Sequence, residues 1–343
     1  MLVAVTGASG LIGTALVRRL TAEGHRVLRL TRSRPTGPDQ VQWDPMAGRL
    51  DPDAIAKADA VVHLAAKSIG DRLRFTGGAK PEIFESRIRG TRLVAETMAE
   101  LAAGARGSEH GGPGVPPAAG ARGSEHGGPR VPPAAGARGS EHGGPRVLLA
   151  ASGVGFYGDR GDEVLTEASD SGGGFLAEVV RRWEEAAEPA RAAGLRVVHL
   201  RTGPVQDAAG AGLPKQALMF RFGLGGRLGS GRQWLSWISL DDIAGAYVHA
   251  LAHQDLEGAV NAVAPNPVTN AEFTATLARV LRRPAFLHVP TFGPRLVLGE
   301  FADEVLFFSQ RAHPARLEAT GYRFRFPELE PALRHTLGRP RRP

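Results

Sequence analysis

The hydrophobic pattern begins with an apolar run, a glycine-rich turn and an amphipathic segment. Residues 2–5 read LVAV, and apolar residues then recur with helical spacing from Leu11 to Leu20. Gly24 follows, and 26–30 read RVLRL. This pattern predicts a strand, a helix and a second strand in succession.

Later apolar runs repeat this alternation of strand and helix. The runs that predict further strands are VQW (41–43), DAVVHLAA (59–66), VLLAAS (147–152) and RVVHLRTG (196–203). Strands that alternate with helical segments indicate an α/β fold with a Rossmann-type, doubly wound parallel sheet. We expect residues 1–205 to form this domain and 206–337 to form a smaller C-terminal α/β substrate lobe.

The first turn carries glycines with the spacing of a dinucleotide-binding motif. Gly7, Gly10 and Gly13 follow the first strand and open the first helix. Such glycines permit a tight turn, close approach to a pyrophosphate and close packing of helix on strand. The amino end of the helix then presents free N–H groups to the phosphates.

Ligands of such sheets bind at the carboxyl ends of the strands, which fixes the expected cofactor contacts. These contacts are Gly7, Ser9, Gly10, Leu11, Ile12, Gly13, Arg32, Ser33, Asp44, Leu64, Ala65, Ala66, Ser152 and Thr202.

The end of the second strand indicates which dinucleotide binds. An NAD site usually has an acidic residue there, whereas this chain has Thr31, Arg32, Ser33 and Arg34. Arg32 can pair with a 2′-phosphate and Ser33 can donate a hydrogen bond to it, so we predict NADP(H). The alternative is that both arginines are ordinary solvated charges.

A 16-residue repeat interrupts the domain at 102–147. Its copies begin at 102, 118 and 134, and Gly and Pro make up 20 of the 46 residues. Such a composition buries too little apolar surface to offset the entropy of ordering. We interpret the segment as a tandem duplication in a surface loop, mostly disordered.

Each copy of the repeat contains one histidine: His110, His126 and His142. Evenly spaced histidines can form a metal-binding tract. Duplication of a single histidine explains the spacing equally, and we prefer that interpretation; we expect no metal.

Composition excludes several classes of protein. The chain has 343 residues, no Cys and a formal charge of +7, which excludes disulfides, thiolate zinc sites and a cysteine nucleophile. The repeat contributes +2 and the basic tail at 338–343 contributes +3, leaving +2 for the rest. We therefore expect no nucleic-acid partner. No apolar run reaches the ~20 residues of a membrane span, and no signal peptide precedes the first strand, so we expect a cytoplasmic protein.

The motifs VTGASGLIG (5–13), VVHLAA (61–66) and ASGVGFYGD (151–159) resemble the extended, epimerase-like short-chain dehydrogenases/reductases. SRIRGTRLV (86–94) and RTGPV (201–205) resemble an atypical epimerase-like family of NADP-binding proteins. Further stretches resemble the same family: WLSWISLDD (234–242), NAVAPNPVTNAEF (261–273) and 298–333, the last similar to its C-terminal domain of unknown function, expected at about 288–335. Related extended enzymes often dimerise, and we expect a monomer or a homodimer.

The resemblance implies a catalytic Ser with a Tyr-x-x-x-Lys pair, and this chain lacks the pair. Ser152 fits the serine, but 172–187 contain no Tyr, and the nearest positions are Phe175 and Val179. None of the three tyrosines, Tyr157 among them, has a Lys four residues on. The proton-transfer groups of the superfamily are therefore missing.

Three residues are candidates for the missing chemistry, each with an alternative role. Tyr157 follows Ser152 closely and can act as acid or base, or it is packed for structure. Arg87 can bind a phosphate or carboxylate of the substrate, or it forms a surface salt bridge. Trp237 can line the substrate cleft or close the core. The sequence does not assign a role to Arg201, because its side chain faces the core or solvent depending on the phase of its strand.

Two functions remain open. The first is an NADP(H)-dependent oxidoreductase or epimerase acting on a small carbonyl or hydroxyl compound or a nucleotide sugar. The second is an NADP(H)-binding sensor or regulatory protein without turnover, indicated by the missing Tyr-x-x-x-Lys.

Overall fold

A seven-stranded parallel sheet forms the centre of the computed structural model, which describes residues 1–67, 79–109, 144–210 and 212–339. The strands in chain order are β1 (Leu2–Thr6), β2 (Arg26–Thr31), β3 (Gln40–Gln42), β4 (Ala60–His63), β5 (Val147–Gly153), β6 (Val164–Leu165), β7 (Arg196–Thr202), β8 (Val205–Gln206), β9 (Gly226–Leu228), β10 (Trp234–Leu235), β11 (Ile238–Ser239), β12 (Gly258–Ala262), β13 (Val268–Thr269), β14 (Leu287–Val289) and β15 (Arg311–Ala312).

The helices alternate with these strands. They are α1 (Leu11–Ala22), α2 (Pro52–Ala56), α3 (Ala79–Glu109), α4 (Phe175–Glu185), α5 (Glu188–Ala192), α6 (Leu213–Arg221), α7 (Leu240–Ala252), α8 (Asn270–Leu281), α9 (Phe292–Leu298), α10 (Ala315–Ala319) and α11 (Leu329–Thr336). A 3₁₀ turn covers Val154–Tyr157 and a π-helical turn covers Ala302–Phe307.

The central sheet has the strand order β12-β7-β5-β4-β1-β2-β3. In β1, Ala4 pairs with Leu28 of β2 on one side and with Val61 of β4 on the other. All the pairings are parallel, so every strand needs a crossover connection, and the helices cover both faces. The predicted Rossmann-type α/β fold is confirmed.

The two faces of the sheet have separate cores, because successive strand side chains point to opposite faces. Val3 and Val5 pack with Leu16 of α1 and Ile243 of α7. Ala4, between them, packs on the other face with α2, α3 and α5. Alternate positions of β1 therefore define a face covered by α1 and α7 and a face covered by α3.

The expected boundary at residue 205 is wrong in one respect. Helix α7 packs on the central sheet and β12 pairs with β7, although both follow residue 206. The reason is that the run 243–251 is apolar and covers, beside α1, the sheet face that α1 leaves uncovered. The lobe therefore consists of the segment before α7 and the segment after β12.

The lobe has a core of its own. Leu213 and Phe220 of α6 pack with Phe273 and Leu277 of α8 and with Leu333 of α11. Two short pairings, β10 with β13 and β14 with β9, connect segments of the lobe, and the pairing of β15 with β6 connects the lobe to the first domain.

Helix α3 extends eight residues into the repeat, to Glu109. Within the segment 102–147, expected to be mostly disordered, residues 102–109 are therefore helical and Val147 belongs to β5. Residues 110–143, with all three repeat histidines, lie outside the described residues, as do 340–343 of the basic tail.

Candidate functional site

The glycine turn after β1 has no room for larger residues. Gly7 has a φ of +67°, and a Cβ there would lie 2.9 Å from the Ala65 nitrogen. A Cβ on Gly13 would lie 2.1 Å from the Gly7 carbonyl oxygen. The turn therefore brings backbone, without side chains, to the carboxyl edge of the sheet, which is the geometry that a pyrophosphate requires.

Helix α1 begins at this turn without a cap of its own. Gly10 stands at the N-cap with no side-chain hydrogen bond, and the first turn has no acidic residue. Ser9, Gly10 and Leu11 line a surface cavity of about 920 Å³. Ile12 is half-buried and packs against the core on the α1 face of the sheet. The free amino end of α1 can thus accept an anionic ligand.

A buried hydrogen-bond cluster fixes the strand ends beside the glycine turn. Thr6 Oγ1 accepts the backbone N–H groups of Leu64 and Ala65, each at 3.1 Å. It also lies 2.9 Å from Nδ1 of His63, whose ring is fully buried. Burial lowers the pKa of His63 to about 4, so the imidazole is neutral at physiological pH.

The end of β2 exposes the residues expected to select the cofactor. Arg32 and Ser33 are exposed, and Arg32 has no ion pair with any described residue. Its backbone carbonyl accepts a hydrogen bond from Gln42 at 3.3 Å. The guanidinium is therefore available to a 2′-phosphate.

Asp44 has a different role from the expected cofactor contact. Its Oδ1 accepts the N–H groups of Met46 and Ala47 at 3.0 and 3.1 Å, and Oδ2 accepts from Arg49 at 3.2 Å. The N–H of Ala47 is the first of the contacts that lower the pKa of this carboxyl. Asp44 closes a turn, as short acidic side chains commonly do, and both its oxygens are engaged there.

The other predicted cofactor contacts lie at the carboxyl edge of the sheet. Leu64 and Ala65 are half-buried and Ala66 is exposed, directly after β4. Thr202 ends β7, opposite Gly153, and its hydroxyl donates to the Leu200 carbonyl at 3.1 Å.

Ser152 is part of a buried ionic network. Its hydroxyl donates to Glu184 Oε1 at 2.6 Å, and Arg201 forms two further bonds to the same carboxylate, at 2.9 and 2.8 Å. Burial raises the pKa of Glu184, but the bonds from Arg201 and Ser152 outweigh it and keep the carboxyl ionised. Because Ser152 has one proton and gives it to Glu184, it faces a ligand only as an acceptor in this arrangement.

Tyr157 belongs to the same network and is fully buried. Its hydroxyl donates to Asn261 Oδ1 at 2.7 Å and accepts from Arg201 Nη1 at 3.1 Å. Burial raises the pKa of the phenol further above its ordinary value. This placement supports the packing role of Tyr157 and does not bring its hydroxyl to the cleft.

The residues that face the end of β5 from α4 are Leu176 and Val180. A Cβ on Gly155 would lie 3.4 Å from Leu176 Cβ, and one on Gly153 would lie 3.9 Å from Val180 Cγ2. The two are four residues apart, as a Tyr-x-x-x-Lys pair would be. Phe175 and Val179, the positions nearest to the pair by sequence, are the preceding neighbours of these two residues, and none of the four side chains can transfer a proton.

A carboxylate from the C-terminal region caps α4. The N-cap Gly174 has a φ of +101° and forms no side-chain cap. Instead Glu304 accepts the N–H groups of Phe175 and Leu176 at 2.5 and 2.6 Å, and its side chain is buried. The C-terminal region thus holds the start of the helix that borders the end of β5.

The two predicted substrate residues differ in their surroundings. Trp237 is fully buried in the lobe's core, where its indole N–H donates to the Asn266 carbonyl at 3.1 Å. Full burial of the ring supports the alternative role of Trp237, which is to close the core. Arg87 is buried rather than at the surface, and it forms no salt bridge with a described residue, which excludes its expected alternative role.

Sequence reasoning missed Glu184 and Glu304 and left Arg201 open. Glu184 lies seven residues after the buried Ala177 and four after Val180, so helical periodicity already places it on the apolar face of α4. A charged residue on such a face indicates a buried partner. For Glu304 no comparable signal exists, because its partners are backbone groups 128 and 129 residues away.

The structure shows neither a membrane span nor a metal centre within its described part. None of its described helices is long and apolar enough to cross a bilayer. No three described His, Asp or Glu side chains are grouped as metal ligands.

Comparisons with known proteins agree with this architecture. Residues 3–173 match the NAD dependent epimerase/dehydratase family, and 289–336 match a domain of unknown function, DUF1731. An epimerase family protein of Mycobacterium leprae is 38% identical over 338 residues, covering 98% of this chain and 96% of that protein.

Two solved structures extend the comparison. The human epimerase family protein SDR39U1 (isoform 2), crystallised with NADPH, has a TM-score of 0.76 and 30% identity, covering 98% of this chain and 99% of that one. A nucleoside-diphosphate sugar epimerase from Corynebacterium glutamicum has a TM-score of 0.72 and 36% identity, and this chain spans 58% of its length. The chain therefore belongs to the NAD dependent epimerase/dehydratase family of extended short-chain dehydrogenases/reductases, with an NAD(P)-binding fold and a C-terminal DUF1731 domain.

Proposed function

We propose that the protein is an NADP(H)-binding, epimerase-like oxidoreductase that acts on a small carbonyl or hydroxyl compound or a nucleotide sugar. The observation that carries the proposal is the free cationic end of β2, next to an unoccluded glycine turn. Arg32 is exposed without an ion pair among the described residues, and no acidic residue occupies 31–34. The human relative crystallised with NADPH supports the same cofactor.

The residues present fit such a cofactor. The amino end of α1 would hold the pyrophosphate, Arg32 and Ser33 the 2′-phosphate, and Leu64 to Ala66 the backbone edge along which the dinucleotide passes. When bound, a nicotinamide dinucleotide supplies hydride transfer. Ser152 stays a candidate polar contact of the site, as an acceptor, whereas the burial of Tyr157 favours its packing role.

Cofactor preference is tested by fluorescence titration of NADPH and NADH into the full chain. We expect NADPH to bind more tightly than NADH. Arg32→Ala should weaken NADPH binding by at least about tenfold, or ~1.4 kcal/mol, and leave the affinity for NADH unchanged. Arg49→Ala, an exposed arginine in the turn at Asp44, is the matched control. Tighter binding of NADH by the unaltered chain would contradict the proposal.

The second candidate is an NADP(H)-binding sensor or regulatory protein without turnover. It is favoured by the aliphatic pair Leu176 and Val180, which leaves the end of β5 without a proton donor from α4. Incubation of NADPH with a panel of carbonyl compounds separates the two functions. Oxidation that Ser152→Ala abolishes supports the enzyme, and tight NADPH binding without any oxidation supports the sensor.

A further inference from the structure

Arg87 lies at the carboxyl edge of the sheet, on the face opposite α1. Helix α3 connects the parallel strands β4 and β5, so its amino end is at this edge. Gly90 packs on the His63 ring at the end of β4, where a Cβ would lie 3.3 Å from Cε1. Arg87 is three residues nearer the amino end, about 4.5 Å further along the helix axis, and thus beyond the last residue of β4.

The Arg87 guanidinium is buried without an anionic partner among the residues that the structure describes. The residue is 6% exposed, and Nη1 donates to the Ile83 carbonyl at 3.2 Å. The Trp183 ring lies 5.0 Å from Cζ, and no carboxylate of a described residue is within ion-pair distance. Burial lowers the pKa of Arg87 to about 10, so the group is still charged at neutral pH.

Arg201 provides the comparison within the same chain. It is 5% exposed, yet its guanidinium forms two bonds to Glu184 and one to Tyr157. A guanidinium has five donors, and in Arg87 a single one is engaged by the described part of the chain. Because a buried charge is normally paired, the contrast marks Arg87 as a group that awaits a partner.

We propose that Arg87 is the receptor for an anionic group, a carboxylate or a phosphate, on the substrate of this site. The proposal rests on the proposed function, because it places the substrate beside the cofactor. The planar fork of a guanidinium matches both groups, which accept two parallel hydrogen bonds. The substrate class is thereby restricted to acids and phosphorylated compounds, sugar acids and nucleotide sugars included.

The cofactor has its own anion sites elsewhere. Its pyrophosphate belongs at the amino end of α1, which packs on the opposite face of the sheet from α3. Its 2′-phosphate belongs at Arg32, beyond β2, whereas α3 follows β4. The anion at Arg87 is therefore a third one, and it comes from the substrate.

The test is thermal unfolding of the full chain saturated with NADPH, titrated with sodium oxalate or sodium phosphate against sodium chloride at equal ionic strength. We expect a saturable rise in Tm with oxalate or phosphate. Arg87→Met should weaken that binding at least about tenfold, and Arg87→Lys should restore part of it. Arg89→Met is the control, since Arg89 is exposed on the same helix and pairs with Glu85.

A second readout separates binding from packing. Without added anion, Arg87→Met should raise or preserve Tm, because it removes an uncompensated buried charge and keeps most of the apolar stem. A lowered Tm with unchanged anion binding would overturn the proposal in favour of a structural role. So would the absence of any saturable effect of either anion on the unaltered chain.

The results of these measurements also distinguish this inference from the proposed function. If Arg87→Met weakens the binding of NADPH tenfold, the anion belongs to the cofactor and the substrate assignment is overturned. If the unaltered chain does not bind NADPH, the proposed function fails. Saturable anion binding that depends on Arg87 would still support the receptor in that case.

Discussion

At the scale of single residues, the chain shows how burial decides the role of a polar side chain. Ser152, Glu184, Arg201, Tyr157 and Asn261 form a connected set of hydrogen bonds between β5, α4, β7 and β12. Each side chain in this set forms a hydrogen bond with another, and buried polar groups stabilise a fold only when they are hydrogen-bonded in this way. Removal of one member therefore leaves its partners unsatisfied.

Tyr157→Phe tests this network. We expect a loss of about 1–3 kcal/mol in the free energy of unfolding, because the Asn261 oxygen and one Arg201 donor lose a buried partner. Urea unfolding measures the loss, and NADPH affinity should stay within about twofold. Tyr322→Phe is the control, because the Tyr322 hydroxyl forms a partly buried hydrogen bond outside this network, to the Asp242 carbonyl at 2.8 Å. A larger effect of Tyr157→Phe on turnover than on stability would restore Tyr157 as a catalytic residue.

His63 predicts a pH dependence of stability. The unfolded chain takes up a proton near 6.5 and the folded protein only at about 4, so stability is full above 6.5 and falls as the pH decreases towards 4. By pH 5 the unaltered chain should lose ~2 kcal/mol more than His63→Asn, at ~1.4 kcal/mol per pH unit. Urea unfolding of both proteins from pH 7 to pH 5 measures this difference. Parallel stability profiles would show that His63 is protonated equally in both states.

Sequence reasoning succeeded at residues whose role depends on neighbours in the chain. Gly7, Gly10 and Gly13 are constrained by a turn of seven residues, so their spacing alone is informative. For Asp44 and Trp237 the structure shows a turn cap and a core ring, two roles that the sequence alone does not distinguish from a ligand contact. The alternative role expected for Arg87, a surface salt bridge, is wrong because tertiary packing buries the side chain, which the sequence does not reveal.

At the scale of elements, α4 is held from both ends by distant parts of the chain. Glu304 caps its amino end, and Glu184, near its carboxyl end, pairs with Arg201 of β7. The amphipathic pattern predicts a helix over 175–185 and also predicts which face of it is apolar. The pattern does not determine whether Val179 or Val180 faces the end of β5, and in the structure Val180 does.

Glu304→Gln tests the cap on α4. The neutral amide keeps one acceptor oxygen but loses the charge at the positive end of the helix dipole. We expect a cost of about 1–2 kcal/mol in the free energy of unfolding. Glu300→Gln is the matched control, because Glu300 is an exposed partner of Lys80 in the same region. Equal, small effects of both variants would contradict a capping role.

At the scale of the whole molecule, the repeat is an insertion that begins in the last turns of α3 and ends at the start of β5. The described parts of both elements belong to the central sheet and its covering layer. We expect the segment that joins Glu109 to Gly144 to tolerate changes of length. The entropic cost of closing a flexible loop changes by ~0.6 kcal/mol for each doubling of its length.

Deletion of 118–133, one whole copy, tests this view. We expect a chain whose Tm changes by no more than about 2 °C and whose NADPH affinity is unchanged, because the flanking sequence keeps its repeat phase. Differential scanning calorimetry with and without NADPH measures both. A large loss of stability would mean that the copies form structure of their own. A change in oligomeric state on size-exclusion chromatography would place the insertion at an interface.

The return of β12 to the edge of the sheet bears on synthesis of the chain. A ribosome must pass residue 262 before β7 acquires its outer neighbour and before Asn261 reaches Tyr157. Until then the nascent dinucleotide domain has an open strand edge, and the Tyr157 hydroxyl lacks its Asn261 partner. A fragment ending at residue 205 would retain the whole glycine motif and still be a poor folding unit. The lobe segment before α7 is thus enclosed within the domain that carries it, and the two are expected to fold as one cooperative body.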